Sequence, residues 1–132
     1  MTNEIVTAPG LAPPVGYAHA VVAAAGGRTV HLGGQTALGP DGAIRGTTLA
    51  EQFDVAAGNV VAALRAAGGE PEQLVQMLVF VTDVSEYKAS LAELGAIWKR
   101  HFGRRYPAMG LFGVTALFDE AARVELVATA VI

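Results

Sequence analysis

Glu125 is the residue whose surroundings best suit chemistry. In the last stretch of the chain, Val124, Leu126, Ala128, Ala130 and Ile132 would form one face of a strand, and Arg123, Glu125, Val127, Thr129 and Val131 the other. An acid placed mid-strand among apolar neighbours suits a group that must accept and return a proton near neutral pH. It could equally form an ion pair with Arg123 or across to a neighbouring strand. His19 and His31 are the next candidates, because imidazole carries protons at neutral pH. Whether they face the same side depends on the loop between their strands: an even number of loop residues sets them on opposite faces, whereas an odd number or one bulge unites them. In a regular strand His31 would share a face with Gly33 and Gln35. Tyr17 can orient a ligand through its hydroxyl while its ring supplies apolar contact, or it can simply pack.

Several chemistries are excluded. The chain has no cysteine, so thiolate nucleophiles, disulfides and Cys-ligated zinc are ruled out. The histidines, His101 included, show no metal-ligand spacing, and neither a metal nor another cofactor is expected. Gly33-Gly34-Gln35 is not a phosphate loop, and there is no Gly-x-Ser-x-Gly elbow. Nine Lys and Arg against twelve Asp and Glu give a net charge of −3, the wrong sign for nucleic acid as a main partner.

These groups must be positioned by a small fold. The 132 residues fit one domain spanning 1–132, and 52% apolar against 16% charged residues predicts a folded core. No apolar run approaches the roughly 20 residues needed to cross a bilayer. Residues 1–14 show neither a secretory pattern nor an apolar period, so they read as an extended arm of a cytoplasmic protein. Tyr17 to Ala25 and Arg28 to Leu32, around Gly26-Gly27, predict a hairpin. Leu49, Phe53, Ala56, Val60, Leu64 and Ala67 recur with the period of a helix, with Thr48 and Glu51 as a capping box and Gly68-Gly69 as its end. Leu74 to Thr82 reads as a central strand. Ser85 would cap a second helix whose face holds Tyr87, Leu91, Leu94, Trp98 and Phe102. Met109 to Thr115 and Ala122 to Ile132 supply two further strands.

The order β, β, α, β, α, β, β predicts an α+β two-layer sandwich with both helices on one face of the sheet. The other face would then expose an apolar row, Val75, Met77, Val79 and Val81, which favours self-association into a cyclic oligomer. A first hairpin curled over that face in a barrel-like monomer is the alternative.

Across nearly the whole chain, the succession of Tyr17, Gly33-Gly34-Gln35, Glu51-Gln52, Val79-Phe80-Val81-Thr82-Asp83, Tyr106-Pro107-Ala108 and Val124-Glu125-Leu126-Val127-Ala128 resembles the RidA/YjgF family. The resemblance implies a chorismate-mutase-like subunit with a mixed sheet, a homotrimer with clefts between subunits, and hydrolysis of enamines or imines to a carbonyl compound and ammonia. It assigns to Glu125 the positioning of the attacking water. It also places Met109 where imine-deaminating members carry an arginine that grips the substrate carboxylate. Gly33 stands in place of a frequent serine, Leu111 in place of a frequent cysteine, and Gly16 in place of a proline.

Methionine cannot make the bidentate, charge-assisted hydrogen bonds of a guanidinium. The expected pocket is therefore neutral and adaptable, and roomier at Gly33. Arg104 or Arg105, a few residues upstream, could reach round as a replacement or lie on the surface as solvated cations.

The leading expectation is a hydrolase of a small imine, enamine or related molecule, with Glu125 as proton shuttle and Tyr17 and His31 as orienting groups. His19, Arg105, Gly33, Gly34, Met109, Gly110 and Leu111 would contact the ligand, with backbone amides near Gly34 or Gly110 binding its polar end. A small-molecule-binding or regulatory protein without turnover is the alternative. RNA cleavage, a label attached to part of the family, is disfavoured by the acidic balance.

Overall fold

The structure, a computed structural model, describes residues 2–132; Met1, the first residue of the expected arm, lies outside the described residues. The described residues form six strands: β1 (Glu4–Val6), β2 (Ala20–Val22), β3 (Thr29–His31), β4 (Leu74–Val81), β5 (Ala108–Gly113) and β6 (Val124–Val131). The helices are α1 (Leu49–Ala66), α2 (Val84–Ala89) and α3 (Leu91–Phe102), with a 3-10 turn at Pro71–Gln73. The main sheet runs β3-β6-β4-β5, with β4 parallel to β5 and antiparallel to β6, and with β3 antiparallel to β6. This is the expected α+β sandwich with a mixed sheet.

Helix α1 forms for the reasons its sequence gives. Thr48 accepts the Glu51 N–H, and the Glu51 carboxylate accepts the Thr48 N–H at 2.9 Å. Phe53, Ala56, Val60 and Leu64 are buried on its inner face. The amides of Thr48 and then Thr47, with both hydroxyls, hold the Glu51 carboxyl down to about 2, against about 4.5 in an unconstrained chain. A depressed acid contributes stability above its unfolded value and loses it as pH falls through the folded one. The Glu51 carboxyl resonance should therefore titrate near pH 2. Acid loss of α1 stability between about pH 4.5 and 2 should be flatter in Glu51→Gln, as followed by circular dichroism melts.

Four expectations are corrected. The first concerns the start of the chain: the arm is not merely extended, because its Glu4–Val6 segment is strand β1, paired with β2. The second is the hairpin, since β2 pairs with β1 while β3 pairs with β6. Asn3 supplies the reason. Its side chain is buried, accepts the Ala24 N–H at 2.8 Å and donates to Val131 O and Gln73 O at 3.2 Å each, pinning the chain start between β2 and the end of β6. The third is the second helix, which starts two residues earlier than expected. Asp83, not Ser85, accepts the Glu86 N–H as N-cap, and the helix is interrupted at Ser90.

The fourth correction concerns β4. A register shift between Leu74 and Gln76 changes the phase of the strand, so Met77, Val79 and Val81 face the helices rather than the open side. There they pack with Val124, Leu126, Ala128 and Ala130 of β6, and with Phe53, Leu64, Leu94 and Trp98. The open face instead carries Leu78 and Phe80, beside Val127 of β6 and Phe112 of β5. The rings of Phe80 and Phe112 stack at 5.4 Å, and Phe112 is 47% exposed. This face of the sheet is largely apolar, and among the described residues no helix covers it.

Buried Gln52 ties α1 to the start of β6. Its amide donates to Ala121 O at 2.9 Å and Gly46 O at 3.2 Å, and its oxygen accepts the Arg123 N–H at 2.7 Å. Gln52→Ala strands these groups, and each unsatisfied buried partner costs about 1–3 kcal/mol. We expect a loss of about 3 kcal/mol in urea unfolding, read as a lowered midpoint at unchanged slope.

Candidate active site

The predicted site residues fall into two groups on opposite faces of the sheet. The first lies along β5, the edge strand. Met109 pairs with Met77 and Leu111 with Val79, so both point to the helix side. Tyr17 is brought beside them by the segment before β2, where Ala18 N–H donates to Pro107 O at 3.0 Å. Together with Val15, Gly16, Tyr87, Leu91 and Gly110, they line a groove of about 240 Å³. It adjoins a recess of about 260 Å³ that shares Val15, Gly16, Tyr87, Leu91 and Met109 and extends to Phe53, Gly95, Trp98 and Tyr106.

No charged side chain lines either depression. Burial first, and then the neighbouring Tyr106, push the Tyr87 hydroxyl above its usual range, so at neutral pH it is a protonated hydrogen-bond donor. Tyr106 stacks on Trp98 at 4.8 Å, and the Trp98 indole donates to Arg105 O at 3.1 Å, which fixes this wall.

The second group surrounds Glu125. It pairs with Phe80 on the open face and is half-buried. Arg123 does not pair with it but reaches Glu86 at 3.0 Å, and Glu125 takes part in no ion pair among the described residues. The carboxylate lies directly against Gly34, where a Cβ would overlap it. This contact depends on an irregularity in the strand. His31 pairs with Thr129, but Gln35 pairs with Leu126, so one extra residue is accommodated at Gly33-Gly34. A Cβ on Gly33 would meet nothing within 4 Å, so that position is open, in keeping with the extra room expected there.

The remaining candidates stand apart from both groups. His31 is exposed, and its partner Thr129 lies four residues along β6 from Glu125, about 13 Å at roughly 3.3 Å per residue. It cannot exchange a proton directly with Glu125 of its own chain. The ring of His19 is occupied by the arm: Nδ1 accepts the Ala8 N–H and Nε2 donates to Ala12 O, both at 2.9 Å. Arg105 lines neither depression near Met109; its guanidinium donates to Asn3 O at 2.9 Å. Among the described residues no group of three or more His, Cys, Asp or Glu could hold a metal ion. No described helix is long and apolar enough to cross a membrane.

Tyr87, Gly95 and Tyr106 also line the site, a role not expected of them from the sequence. Tyr87 was expected on the buried face of a continuous helix, but the break at Ser90 leaves it over the groove. A glycine inside α3 was the available signal, because glycine is unfavourable in a helix interior and its presence asks for a reason.

The chain as a whole has recognisable relatives. The family model described as Endoribonuclease L-PSP matches residues 7–132. The human 2-iminobutanoate/2-iminopropanoate deaminase is 29% identical over 125 residues, covering 94% of this chain and 84% of that protein. The Rid-family protein YyfB of Yersinia pestis superposes with a TM-score of 0.88 at 30% identity, covering all of both chains. RidA of the Antarctic bacterium Psychrobacter sp. PAMC 21119 gives 0.69 at 27% identity, covering 97% of this chain and 98% of that one. With the match extending over nearly the whole chain, this chain belongs to the RidA/YjgF family.

Proposed function

We propose that this protein hydrolyses a small imine or enamine that carries no carboxylate at Met109, releasing ammonia in a cleft between subunits of a homotrimer. The observation that carries the reading is the Glu125 carboxylate, without an ion-pair partner among the described residues and held against Gly34 on the open face of the sheet. A half-buried acid without a partner has a cost, and a role in catalysis accounts for it.

The reaction balances on one acid. Glu125 takes one proton from water as the water oxygen adds to the C=N carbon and returns it to nitrogen, giving a carbinolamine. It then takes the hydroxyl proton and passes it to nitrogen as the C–N bond breaks, so that carbonyl and ammonia leave. In a single chain Met109 and Glu125 point to opposite faces, with β4 between their strands. One ligand therefore touches both positions only if they come from different chains, which supports the trimer. Tyr17 orients the ligand by its hydroxyl, and backbone amides near Gly34 or Gly110 hold its polar end. Within one chain His31 is too far from Glu125 to share the proton, so it is not assigned that part.

A second reading is binding without turnover, favoured by the uncharged groove around Met109. Ammonia release from freshly generated imines, with and without carboxylates, decides between them. Turnover of neutral imines that disappears in Glu125→Gln supports the hydrolase. Absence of turnover across the panel, with ligand binding intact, supports the binding protein.

A further inference from the structure

We propose that the recess behind Met109 is a binding subsite for an uncharged alkyl tail on a ligand whose carbonyl or imine head sits at the groove phenols. The inference rests on the reading of this groove as the ligand site but goes beyond it in naming the tail and where it lies. Phe53, Leu94 and Trp98 are each below 5% exposed yet line a recess of about 260 Å³, so it runs into the core. That is room for on the order of eight water-sized groups at about 30 Å³ each. A cavity with such walls favours apolar contents over water.

Gly95 is the second, independent observation. It lies inside α3, where glycine is the least favourable residue after proline, and nothing packs against it: a Cβ there would meet no atom within 4 Å. No contact among the described residues explains the glycine, whereas keeping the recess open does. At the other end, Tyr17 lines the groove, and Tyr87 and Met109 line groove and recess alike. The phenols offer donors to a neutral head group, and no charged side chain is present to hold an ionic one.

Linear primary amides from acetamide to octanamide test the subsite, because they carry a neutral carbonyl head and are not turned over as imines. Binding is read from the fluorescence of Trp98, the only tryptophan of the chain. Affinity should rise about fourfold per added methylene until the recess is full. Gly95→Phe should abolish the dependence on length. Gly95→Ala, which meets no atom, should raise the melting temperature and shorten the longest chain accepted, so the test survives if the larger substitution prevents folding. Affinity independent of chain length in the unmodified protein, or the same length dependence in both variants, overturns the subsite. Ammonia release indifferent to tail length overturns it and spares the hydrolase reading. Length-dependent amide binding without turnover of any imine does the reverse.

Discussion

Glu125→Gln is expected to lower kcat for ammonia release from neutral imines by about 100- to 10,000-fold, the usual contribution of a positioned general acid-base group. KM should change little, because the group acts on water and on the departing nitrogen rather than on the ground-state ligand. The substitution is nearly isosteric, so glutamine should fit against Gly34 as the native side chain does. It breaks no ion pair, because Arg123 is engaged by Glu86. The melting temperature should therefore stay within a degree or two, roughly the effect of less than 0.5 kcal/mol. Activity within tenfold of the unmodified protein at equal stability would remove Glu125 from the chemistry. A fall in activity accompanied by a fall in stability would instead show a structural role for the carboxylate.

The parts of the fold legible in the sequence were those fixed by local chemistry. The period from Leu49 to Leu64 and the Thr48–Glu51 capping box involve neighbours within one turn, and both are present in α1. What escaped depends on single inserted residues and distant partners. The phase of β4 turns on the shift at Leu74/Gln76, and one such shift exchanges the faces of all later residues. No residue type in that stretch announces it. The hairpin failed because buried Asn3 draws β1 alongside β2, through bonds to Ala24, Gln73 and Val131. Asp83 and Ser85 are both competent N-caps, and only the placement of the Glu86 N–H separates them.

Legibility of the candidate site follows the same division. That Glu125 points away from the helices could be read from the alternation of β6, because that strand is regular. Whether it would pair with Arg123 could not, since the competitor, Glu86, lies 37 residues away in sequence. The fates of His19 and Arg105 were hidden for the same reason: each is bound by backbone atoms of the N-terminal segment, whose path depends on Asn3. The separation of Met109 from Glu125 needs two facts together, the register of β5 on β4 and that of β6 on β4. Either alone leaves the faces undetermined. The recess was hidden because its walls come from distant segments, Val15 and Gly16 before β2, Phe53 of α1, Leu94 and Gly95 of α3, and Met109 of β5.

Met109→Arg is the second large effect expected, and it acts on specificity rather than on overall rate. A charge-assisted hydrogen bond contributes about 1.5–3 kcal/mol, and a guanidinium can make two to one carboxylate. The ratio of kcat/KM for a carboxylated imine to that for its neutral counterpart should rise by at least about tenfold, the effect of a single bond near the lower limit. Both terms of the ratio should move. The groove around Met109 has no charged side chain to partner the new cation. A neutral ligand would have to share the site with an unpaired guanidinium, so turnover of neutral imines should fall as that of carboxylated ones rises. In the absence of ligand the cation can reach solvent past Gly16, whose open position leaves the rim unobstructed, so the fold should tolerate it. Matched substrate pairs differing only in the carboxylate measure the ratio directly. A ratio unchanged by the substitution would mean that substrate carboxylates never approach position 109, and would remove Met109 as a determinant of substrate charge.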